Sequence, residues 1–379
     1  MFGIINSMTI RSYILKLFLA TRILLLTIGW LGYKYIILPY GSVGSFGRLT
    51  EDYPWFLKVW AVWDSGWYLD IARSGYATTA PLFSSVQSNL GYFPLYPFLL
   101  RIVARYAFFG NYILAGIVIS NIVFLIGVYY MYKLLRLDYD EIFTRRSIKY
   151  LFLIPTAFIF SGVFSESLFF CLTILCFYMA RKEKWWLVGI SGFLLVLTKV
   201  FGILMFLPLC MIYLSQRNYD WKKISLSAAW LMGIPAGLLS FGIYLYIHTG
   251  DFFAYSHSQV KFLGHHMAEP FSFLVIKLFG SDLDVINALS IIIPLCLLIY
   301  SFKKIPRAYW IYGVSLLLFV PATGSIFGAV RYLVLLFPLA LVFANASKNP
   351  ENDQLLTISL ALLQGVLMIV WSLGLYIVL

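Results

Sequence analysis

Residues 112–132, YILAGIVISNIVFLIGVYYMY, decide the fold class, because they run for 21 residues without a charged side chain. A helix of about 20 apolar residues crosses the hydrocarbon core of a bilayer. Ten further apolar runs lie at 13–38, 148–164, 167–180, 185–198, 200–214, 224–247, 283–302, 308–324, 332–345 and 355–377. We therefore predict an all-α polytopic membrane protein, a single domain over residues 1–379 with about eleven transmembrane helices.

The overall composition supports this prediction. The 379 residues are 61% hydrophobic, 19% aromatic and only 12% charged, with a mean hydropathy of +0.87. Soluble proteins carry about 25% charged residues, so the composition excludes a water-soluble enzyme and a disordered chain. Eleven spans of about 20 residues would use roughly 220 residues and leave about 160 for loops. Such loops are large enough to hold a functional site.

The net charge of +12 indicates membrane topology and not nucleic-acid binding. With the N-terminus in the cytoplasm, 18 of the 28 basic residues fall on the cytoplasmic side, as the positive-inside rule requires. We therefore expect a multi-pass protein of the cell membrane in a prokaryote, or of the endoplasmic reticulum membrane in a eukaryote. The four cysteines lie in apolar runs without metal-ligand spacing, which indicates core packing.

Two segments on the non-cytoplasmic side, residues 40–111 and 248–282, are too long to be simple connections. Loops of this length usually carry function or secondary structure of their own. Nine of the sixteen acidic residues also lie on this side. The sequence therefore predicts an active site that faces away from the cytoplasm, with any acid–base chemistry in or beside these two outer loops.

The first outer loop contains YPWFLKVWAVWDSGWYLDIARSGY at 53–76, which has helical periodicity. Its tryptophans suit a helix in the membrane interface, and Gly75 is a plausible helix end. Asp64 lies inside the apolar stripe, where a carboxylate is costly without a polar cavity or a partner. Two interpretations follow: Asp64 is a general base at the membrane surface, or it is paired structurally with an arginine. Asp70, at the edge of the stripe, is the weaker candidate.

A second interfacial helix is predicted in GYFPLYPFLLRIVARY, residues 91–106. Pro94 and Pro97 fit a helix start, and Arg101 and Arg105 lie one turn apart on the same face. Two interpretations of the arginines remain open at this point. They bind a lipid phosphate, or they only extend to the headgroups of the surrounding membrane lipids.

Three isolated charges occur near the outer ends of predicted spans: Glu166, Lys199 and Arg331. Ionisable residues in such positions usually face a polar cavity and mark a functional site. The alternative for Glu166 and Lys199 is a purely structural ion pair. Arg331 has no acid near it in sequence, so we predict that it binds an anionic ligand.

All four histidines, His248, His257, His265 and His266, lie in the second outer loop. Their spacing matches no zinc pattern, so we interpret this loop as a polar lid that brings His257 or Lys261 to a substrate phosphate. No cofactor is predicted. The Glu51–Asp52 pair leaves a divalent metal open, although an exposed acidic pair in a loop usually holds none.

Several blocks, taken in order, resemble the PIG-V type of mannosyltransferase of the GT-C superfamily, including its prokaryotic members. They are WDSGWYLDIARSGY at 63–76, GYFPLYPFLL at 91–100, PTAFIFSGVFSESLFFCLTIL at 155–175, GISGFLLVLTKVFGIL at 189–204 and, more weakly, GSIFGAVRYLVLLFPL at 324–339. The resemblance covers roughly residues 60–205 and, loosely, 320–340. It implies a GT-C-like helical fold and transfer of a sugar, most simply mannose, from a polyprenyl or dolichyl phosphate.

The resemblance also implies roles for individual residues. Asp64 would deprotonate the acceptor hydroxyl, with inversion at the anomeric carbon. Trp63 and Tyr68 would shape its pocket, and Glu166 would belong to the serine–glutamate block. The family commonly has arginine where this chain has Lys199, which would replace a bidentate contact by a point charge.

We therefore expect an inverting glycosyltransferase whose acceptor is a lipid, a glycan or a protein. The absence of a glycine-rich phosphate loop agrees with a lipid-linked donor. One alternative is a transporter or lipid flippase, which intramembrane charges also fit, although no inverted repeat is visible and the acids lie outside the midplane. The other is a non-catalytic subunit of a membrane complex, in which Asp64 would have no purpose.

Overall fold

The chain forms a succession of helices, and the computed structural model describes residues 8–37, 53–84 and 87–375. No β-strand occurs in these three ranges. The α-helices are α1 Ile10–Gly32, α2 Trp55–Lys58, α3 Ser65–Ser74, α4 Leu95–Ala107, α5 Tyr112–Leu135, α6 Glu141–Leu153, α7 Glu166–Arg181, α8 Trp185–Val196, α9 Phe206–Ser215, α10 Gly233–Thr249, α11 Ala254–Leu263, α12 Pro270–Lys277, α13 Asp282–Tyr300, α14 Arg307–Ala322, α15 Ala329–Tyr332, α16 Phe337–Ala346 and α17 Pro350–Ser372.

Shorter helical segments join or extend these helices. Tyr33–Ile37 is a π-helical extension of α1, and the 3₁₀ segments are Pro81–Phe83, Asn89–Gly91, Ala157–Ser161, Val200–Met205, Trp221–Lys223, Leu226–Met232 and Leu333–Leu335. Glu51, Asp52 and the first part of the 40–111 loop lie outside the described residues.

Among the described residues, five helical segments are long and apolar enough to cross a membrane: Ile10–Ile37, Tyr112–Leu135, Leu226–Thr249, Asp282–Tyr300 and Pro350–Ser372. A sixth forms if Ala329–Leu335 and Phe337–Ala346, bent by 75° relative to each other, count as one broken span. Three other apolar helices, Trp185–Val196, Val200–Ser215 and Arg307–Ala322, are shorter than a full span. The predicted all-helical character is thus confirmed for the described residues, which contain five helices, or six with the bent pair, that could cross a membrane, and not the eleven spans predicted.

Prolines divide two of the apolar runs that the sequence analysis counted as single spans. In the run 148–164, Ile154 precedes Pro155 and takes an extended conformation, with φ −51° and ψ 131°, which ends α6. A residue before proline disfavours the helical conformation for steric reasons. In the run 332–345, Pro338 lies in the first turn of α16, immediately after the 75° bend. Proline cannot donate the backbone hydrogen bond that would continue the preceding helix.

Glycines allow the backbones of α8 and α10 to approach closely. A Cβ atom on Gly233 would lie 2.4 Å from the carbonyl oxygen of Gly189, and one on Gly237 would lie 2.6 Å from that of Phe193. Small residues at helix contacts are the usual basis of tight packing in membranes. This contact holds α10 against α8, the helix that precedes Lys199 in the sequence.

The two outer segments pack on each other. Helix α11 contacts the 3₁₀ segments Pro81–Phe83 and Asn89–Gly91. Gln259 Nε2 donates to the carbonyl oxygen of Gly91 at 3.0 Å, and His248 Nε2 lies 3.1 Å from that of Tyr76. Helix α4, which begins at Leu95 directly after Pro94, buries Tyr96, Leu100 and Ala104 at the expected spacing of four residues. The second outer segment therefore covers part of the first.

Candidate active site

The chain around Asp64 is not one continuous helix, so the prediction of a single helix over 53–76 is wrong. Helix α2 ends at Lys58, and α3 begins only at Ser65. Between them Trp63 has a φ of +46°, in the left-handed region. Tertiary contacts hold this break: Val163 N donates to Trp60 O at 2.7 Å, and Trp371 Nε1 donates to Val59 O at 2.6 Å. The predicted helix end at Gly75 is confirmed, with a φ of +90°.

Asp64 occupies the N-cap position of α3 without acting as its cap. An N-cap aspartate usually accepts a hydrogen bond from the first turn of its helix, but this side chain makes no capping bond. Instead, Oδ1 accepts from the hydroxyl of Tyr92 at 2.9 Å, and Oδ2 lies 2.5 Å from Arg331 Nη1. The carboxylate is thus directed away from its own helix and towards a distant part of the chain.

Arg331 links two acids that are far apart in sequence. It lies in α15, just after Gly328, whose φ of +78° turns the chain into this short helix. Besides the contact with Asp64, its Nε lies 3.3 Å from Glu166 Oε1. Arg331 has no acid near it in the sequence, but the folded chain brings two acids into contact with it. Sequence distance concealed the pairing, since Asp64 and Arg331 are 267 residues apart.

Lys199 completes the cluster. Its Nζ lies 2.6 Å from Glu166 Oε1, and 5.3 Å from the centre of the Tyr332 ring. The ion pair that the sequence analysis held open for Glu166 and Lys199 is therefore present, but it is joined to Asp64 through Arg331. We call Asp64, Arg331, Glu166 and Lys199 the ionic cluster. It carries two negative and two positive formal charges.

Exposure differs sharply within the ionic cluster. The side chain of Glu166 is 0% exposed, that of Arg331 8%, that of Lys199 12% and that of Asp64 22%. Asp64 is thus the member that a bound molecule reaches most easily. Glu166 Oε2 is buried and has no hydrogen-bond partner among the described residues. A buried acceptor of this kind is costly unless a donor reaches it.

Arg331 sets the protonation state of Asp64. Burial alone would raise the pKa of this carboxyl group, but the charge and hydrogen bond of Arg331 outweigh it, with help from Tyr92 and Lys199. The net effect holds the pKa of Asp64 below its ordinary value, so the group is ionised at neutral pH. Burial and the nearby Asp64 raise the pKa of Tyr92 well above its ordinary value. Tyr92 therefore stays a neutral hydrogen-bond donor.

Aromatic rings pack on Tyr92, the hydrogen-bond partner of Asp64. Tyr68 packs edge-on against Tyr92 at 5.4 Å, and its hydroxyl lies 2.9 Å from Ser165 Oγ, next to Glu166. Trp67 stacks on Tyr92 at 5.8 Å, and Trp63 packs against Trp371 at 5.1 Å. Flat rings beside polar groups suit the faces of sugar rings. Tyr92 was not among the predicted site residues, although it lies in the block GYFPLYPFLL at 91–100.

The remaining predicted site residues make other contacts. Arg101 Nη2 donates to the backbone carbonyl of Arg73 at 3.2 Å, and Arg105 is exposed. His257 Nδ1 lies 2.7 Å from Asp251 Oδ2. Lys261 Nζ donates to three carbonyl oxygens, of Pro81, Leu82 and Ser84. None of these contacts reaches the ionic cluster, so the predicted delivery of His257 or Lys261 to a substrate phosphate has no support here.

Asp70 also has a structural partner within the described ranges. Asp70 Oδ2 accepts from Asn89 Nδ2 at 2.7 Å, and the same amide nitrogen donates to Gly75 O at 3.0 Å. Asp70 thus fastens the loop after α3. In the described part of the chain, no group of three or more His, Cys, Asp or Glu side chains is placed to hold a metal ion.

Lys261 gives a direct test of how the outer segments are joined. Replacing Lys261 by methionine removes three hydrogen bonds to the 81–84 segment and should destabilise the local packing by about 1 kcal/mol, because the site is partly exposed. We expect amide hydrogen exchange in residues 254–262 and 82–84 to become about fivefold faster, with no change in α5. Unchanged exchange in both segments would show that Lys261 does not hold them together.

Comparison with known proteins adds no assignment. No protein-family model matches the chain, and no curated protein matches it.

Proposed function

We propose that this protein is an inverting glycosyltransferase that acts at the non-cytoplasmic face of its membrane. It would transfer a sugar, most simply mannose, from a polyprenyl or dolichyl phosphate to a hydroxyl group of a lipid, glycan or protein. The observation that carries the proposal is the Asp64–Arg331 contact at 2.5 Å, in a cluster where Arg331 also meets Glu166 and Glu166 meets Lys199. A base beside cations suited to phosphate is what this reaction needs. The order of blocks resembling PIG-V enzymes supports the same assignment.

In the proposed reaction, the acceptor hydroxyl gives its proton to Asp64 while its oxygen attacks the anomeric carbon. The bond between that carbon and the phosphate oxygen breaks, and the lipid phosphate leaves with the electron pair. Arg331 and Lys199 stabilise the negative charge that develops on the leaving phosphate. Attack opposite the leaving group inverts the anomeric configuration. Glu166 Oε2, which has no hydrogen-bond donor near it among the described residues, would accept a hydrogen bond from a hydroxyl group of the bound sugar.

The ion pair at Asp64 implies that the donor must bind before Asp64 can act as the base. While Arg331 holds Asp64, the lowered pKa of the carboxylate makes it a weak base. A general base works best when its pKa lies near the operating pH. A donor phosphate would compete for Arg331 and draw it away from Asp64, which raises the pKa of the carboxylate. Asp64 would thus become an effective base only after the donor has bound.

The proposed architecture places the site at the membrane surface. We infer that the three shorter apolar helices, together with α6 and α7, complete a GT-C-like domain of about eleven spans, with α3 and α4 as interfacial helices of the first outer loop. The distribution of basic residues supports an N-terminus in the cytoplasm and a site on the opposite side. The protein would lie in the cell membrane of a prokaryote, or in the endoplasmic reticulum membrane of a eukaryote.

A transfer assay tests the function directly. Purified protein in detergent, given radiolabelled mannosyl polyprenyl phosphate and a membrane lipid extract as acceptor, should move the label from the donor to a second product. The free sugar nucleotide should not serve as donor. Donor that stays intact with extracts from several sources, while the protein remains folded, would count against the proposal.

A transporter or flippase is the second candidate, and one feature favours it. The bent pair Ala329–Leu335 and Phe337–Ala346 carries Arg331 close to a 75° break. Interrupted helices often form the binding sites of transporters. Liposomes separate the two functions: a flippase would move fluorescent mannosyl polyprenyl phosphate between leaflets without cleaving the sugar. The glycosyltransferase would release lipid phosphate in proportion to product.

Topology can be checked with cysteine labelling. Tyr106 is 85% exposed at the end of α4, and Tyr219 is 57% exposed between α9 and the next 3₁₀ segment. In intact cells, Tyr106→Cys should react with a membrane-impermeant maleimide, and Tyr219→Cys should react only after permeabilisation. The unsubstituted protein is the control for its native cysteines. The reverse pattern would overturn the orientation and, with it, the outer location of the site.

A further inference from the structure

A groove separate from the ionic cluster opens between α3, α4 and α10. Its volume is about 450 Å³, within the range of small-ligand sites. The lining is mainly apolar and includes Ile71, Tyr76, Phe98, Phe241 and Tyr244, with Arg101 as its charged member. An apolar groove with one cationic side chain matches an amphiphile that has a hydrocarbon chain and an anionic head.

The surface beside the groove is apolar and exposed. On α4, Phe98 is 61% and Ile102 39% exposed; on α10, Leu239 is 55% and Ile243 53% exposed. Exposed apolar side chains on both flanks of a groove mark a surface that contacts lipid or another apolar partner. A hydrocarbon chain in the groove would continue the surrounding lipid layer.

The charge at the groove lacks a counterion. Arg101 forms no ion pair with an acid of the described ranges, and its Nε is buried without a hydrogen-bond partner there. Its Nη2 is used by the carbonyl oxygen of Arg73. Arg105 follows one turn later on the same helix face and is exposed. Arginines clustered at the membrane surface attract lipid phosphate.

The position of Arg101 excludes the phosphate of the proposed sugar donor. Arg101 contacts the backbone of Arg73, nine residues after Asp64 along α3, which corresponds to about 14 Å. In a sugar phosphate the reacting carbon is bonded directly to the phosphate oxygen, so that phosphate must lie within one sugar ring of the base. A phosphate at Arg101 is too distant.

We propose that this groove binds an anionic phospholipid of the outer leaflet, with one acyl chain between α4 and α10 and its phosphate on Arg101. Because α3 also carries Asp64 at its start, the bound lipid would support the helix that positions the candidate base. The site does not depend on the proposed transferase activity. A protein with any other function would bind the same lipid through these residues.

Lipid retention in the purified full-length protein tests the proposal. After exchange into detergent containing equal amounts of phosphatidylglycerol and phosphatidylcholine, native mass spectrometry should show phosphatidylglycerol bound in preference. Arg101→Gln should retain about tenfold less of it, as expected for the loss of a charge-assisted hydrogen bond. Lys303→Gln, which alters an exposed lysine far along the chain, is the matched control and should retain it as before.

A second variant addresses the chain-binding part. Ser240 lines the groove, and Ser240→Phe should fill it and release phosphatidylglycerol while leaving Arg101 intact. Equal retention of both lipids by the unsubstituted protein, or unchanged retention in both variants, would overturn the proposal. So would displacement of phosphatidylglycerol by an equimolar polyprenyl phosphate, because the groove would then belong to the donor lipid.

Discussion

Asp64→Asn should lower sugar transfer at least 100-fold while the protein still inserts, purifies and binds donor. Asparagine keeps the shape of the side chain and an oxygen to accept the hydroxyl hydrogen bond of Tyr92. It cannot take a proton from the acceptor. General bases contribute about 10²–10⁴ in rate, or roughly 3–5 kcal/mol of barrier. Turnover with labelled donor in detergent measures the effect.

Donor binding distinguishes this expectation from a structural role. The ionic cluster has two acids and two bases, so removing the Asp64 charge leaves it with an excess positive charge beside Arg331 and Lys199. The affinity for a polyprenyl phosphate should therefore be kept or increased in Asp64→Asn, while transfer falls. If Asp64 is needed only as the base of the reaction, donor affinity is kept or increased while the rate of transfer falls. A side chain needed only to hold Arg331 predicts weaker donor binding or a less stable protein.

Asp70→Asn is the matched control for Asp64→Asn. Asp70 lies on the same short helix, but its carboxylate accepts from Asn89 and fastens a loop. We expect this variant to lose less than tenfold in turnover, through a small loss of stability of about 1 kcal/mol. Retention of more than a tenth of the turnover by Asp64→Asn would remove Asp64 from the role of base. The assignment would then pass to Glu166.

The helices were largely predictable because apolar runs and helix ends are local properties. All eleven runs contain helix, and α4 begins where Pro94 indicated. Interruptions within the runs were less visible. The bend before α16 and the break at Trp63 depend on proline geometry and on contacts with residues 163 and 371. Such contacts join segments that hydrophobic periodicity treats separately.

The ionic cluster was predictable in composition but not in pairing. The rarity of charges in apolar segments singled out Asp64, Glu166, Lys199 and Arg331 from the sequence. Which acid meets which base depends on how four distant segments pack, and no local pattern encodes that. Tyr92 escaped notice because a tyrosine in an aromatic-rich loop has no distinctive spacing. Lys261 was assigned to phosphate because its charge was visible and its three carbonyl partners were not.

Arg331→Lys should keep the charge of the ionic cluster and lose its geometry. The guanidinium donates a hydrogen bond to Asp64 through Nη1, and its Nε lies 3.3 Å from Glu166 Oε1, at ion-pair distance without a hydrogen bond. A lysine ammonium is a single point charge and cannot reproduce this planar contact with two acids. Removal of one transition-state donor typically costs about 10²–10³ in rate. We expect a loss of that order in turnover, with Arg307→Lys, an exposed arginine at the start of α14, as the unaffected control.

The pH profile of Arg331→Gln reports the same contact independently of its rate. In the unsubstituted protein Arg331 keeps the pKa of Asp64 below its ordinary value against the opposing effect of burial. Without the arginine, burial acts with less opposition and the pKa rises. Transfer requires ionised Asp64, so the acidic limb of the kcat/KM profile, which reports the protein before the donor draws Arg331 away, should move to higher pH. If the acidic limb does not move, and donor binding and turnover are unchanged, Arg331 has only a structural role. A residue that lowers the pKa of the base must shift that pKa when it is removed.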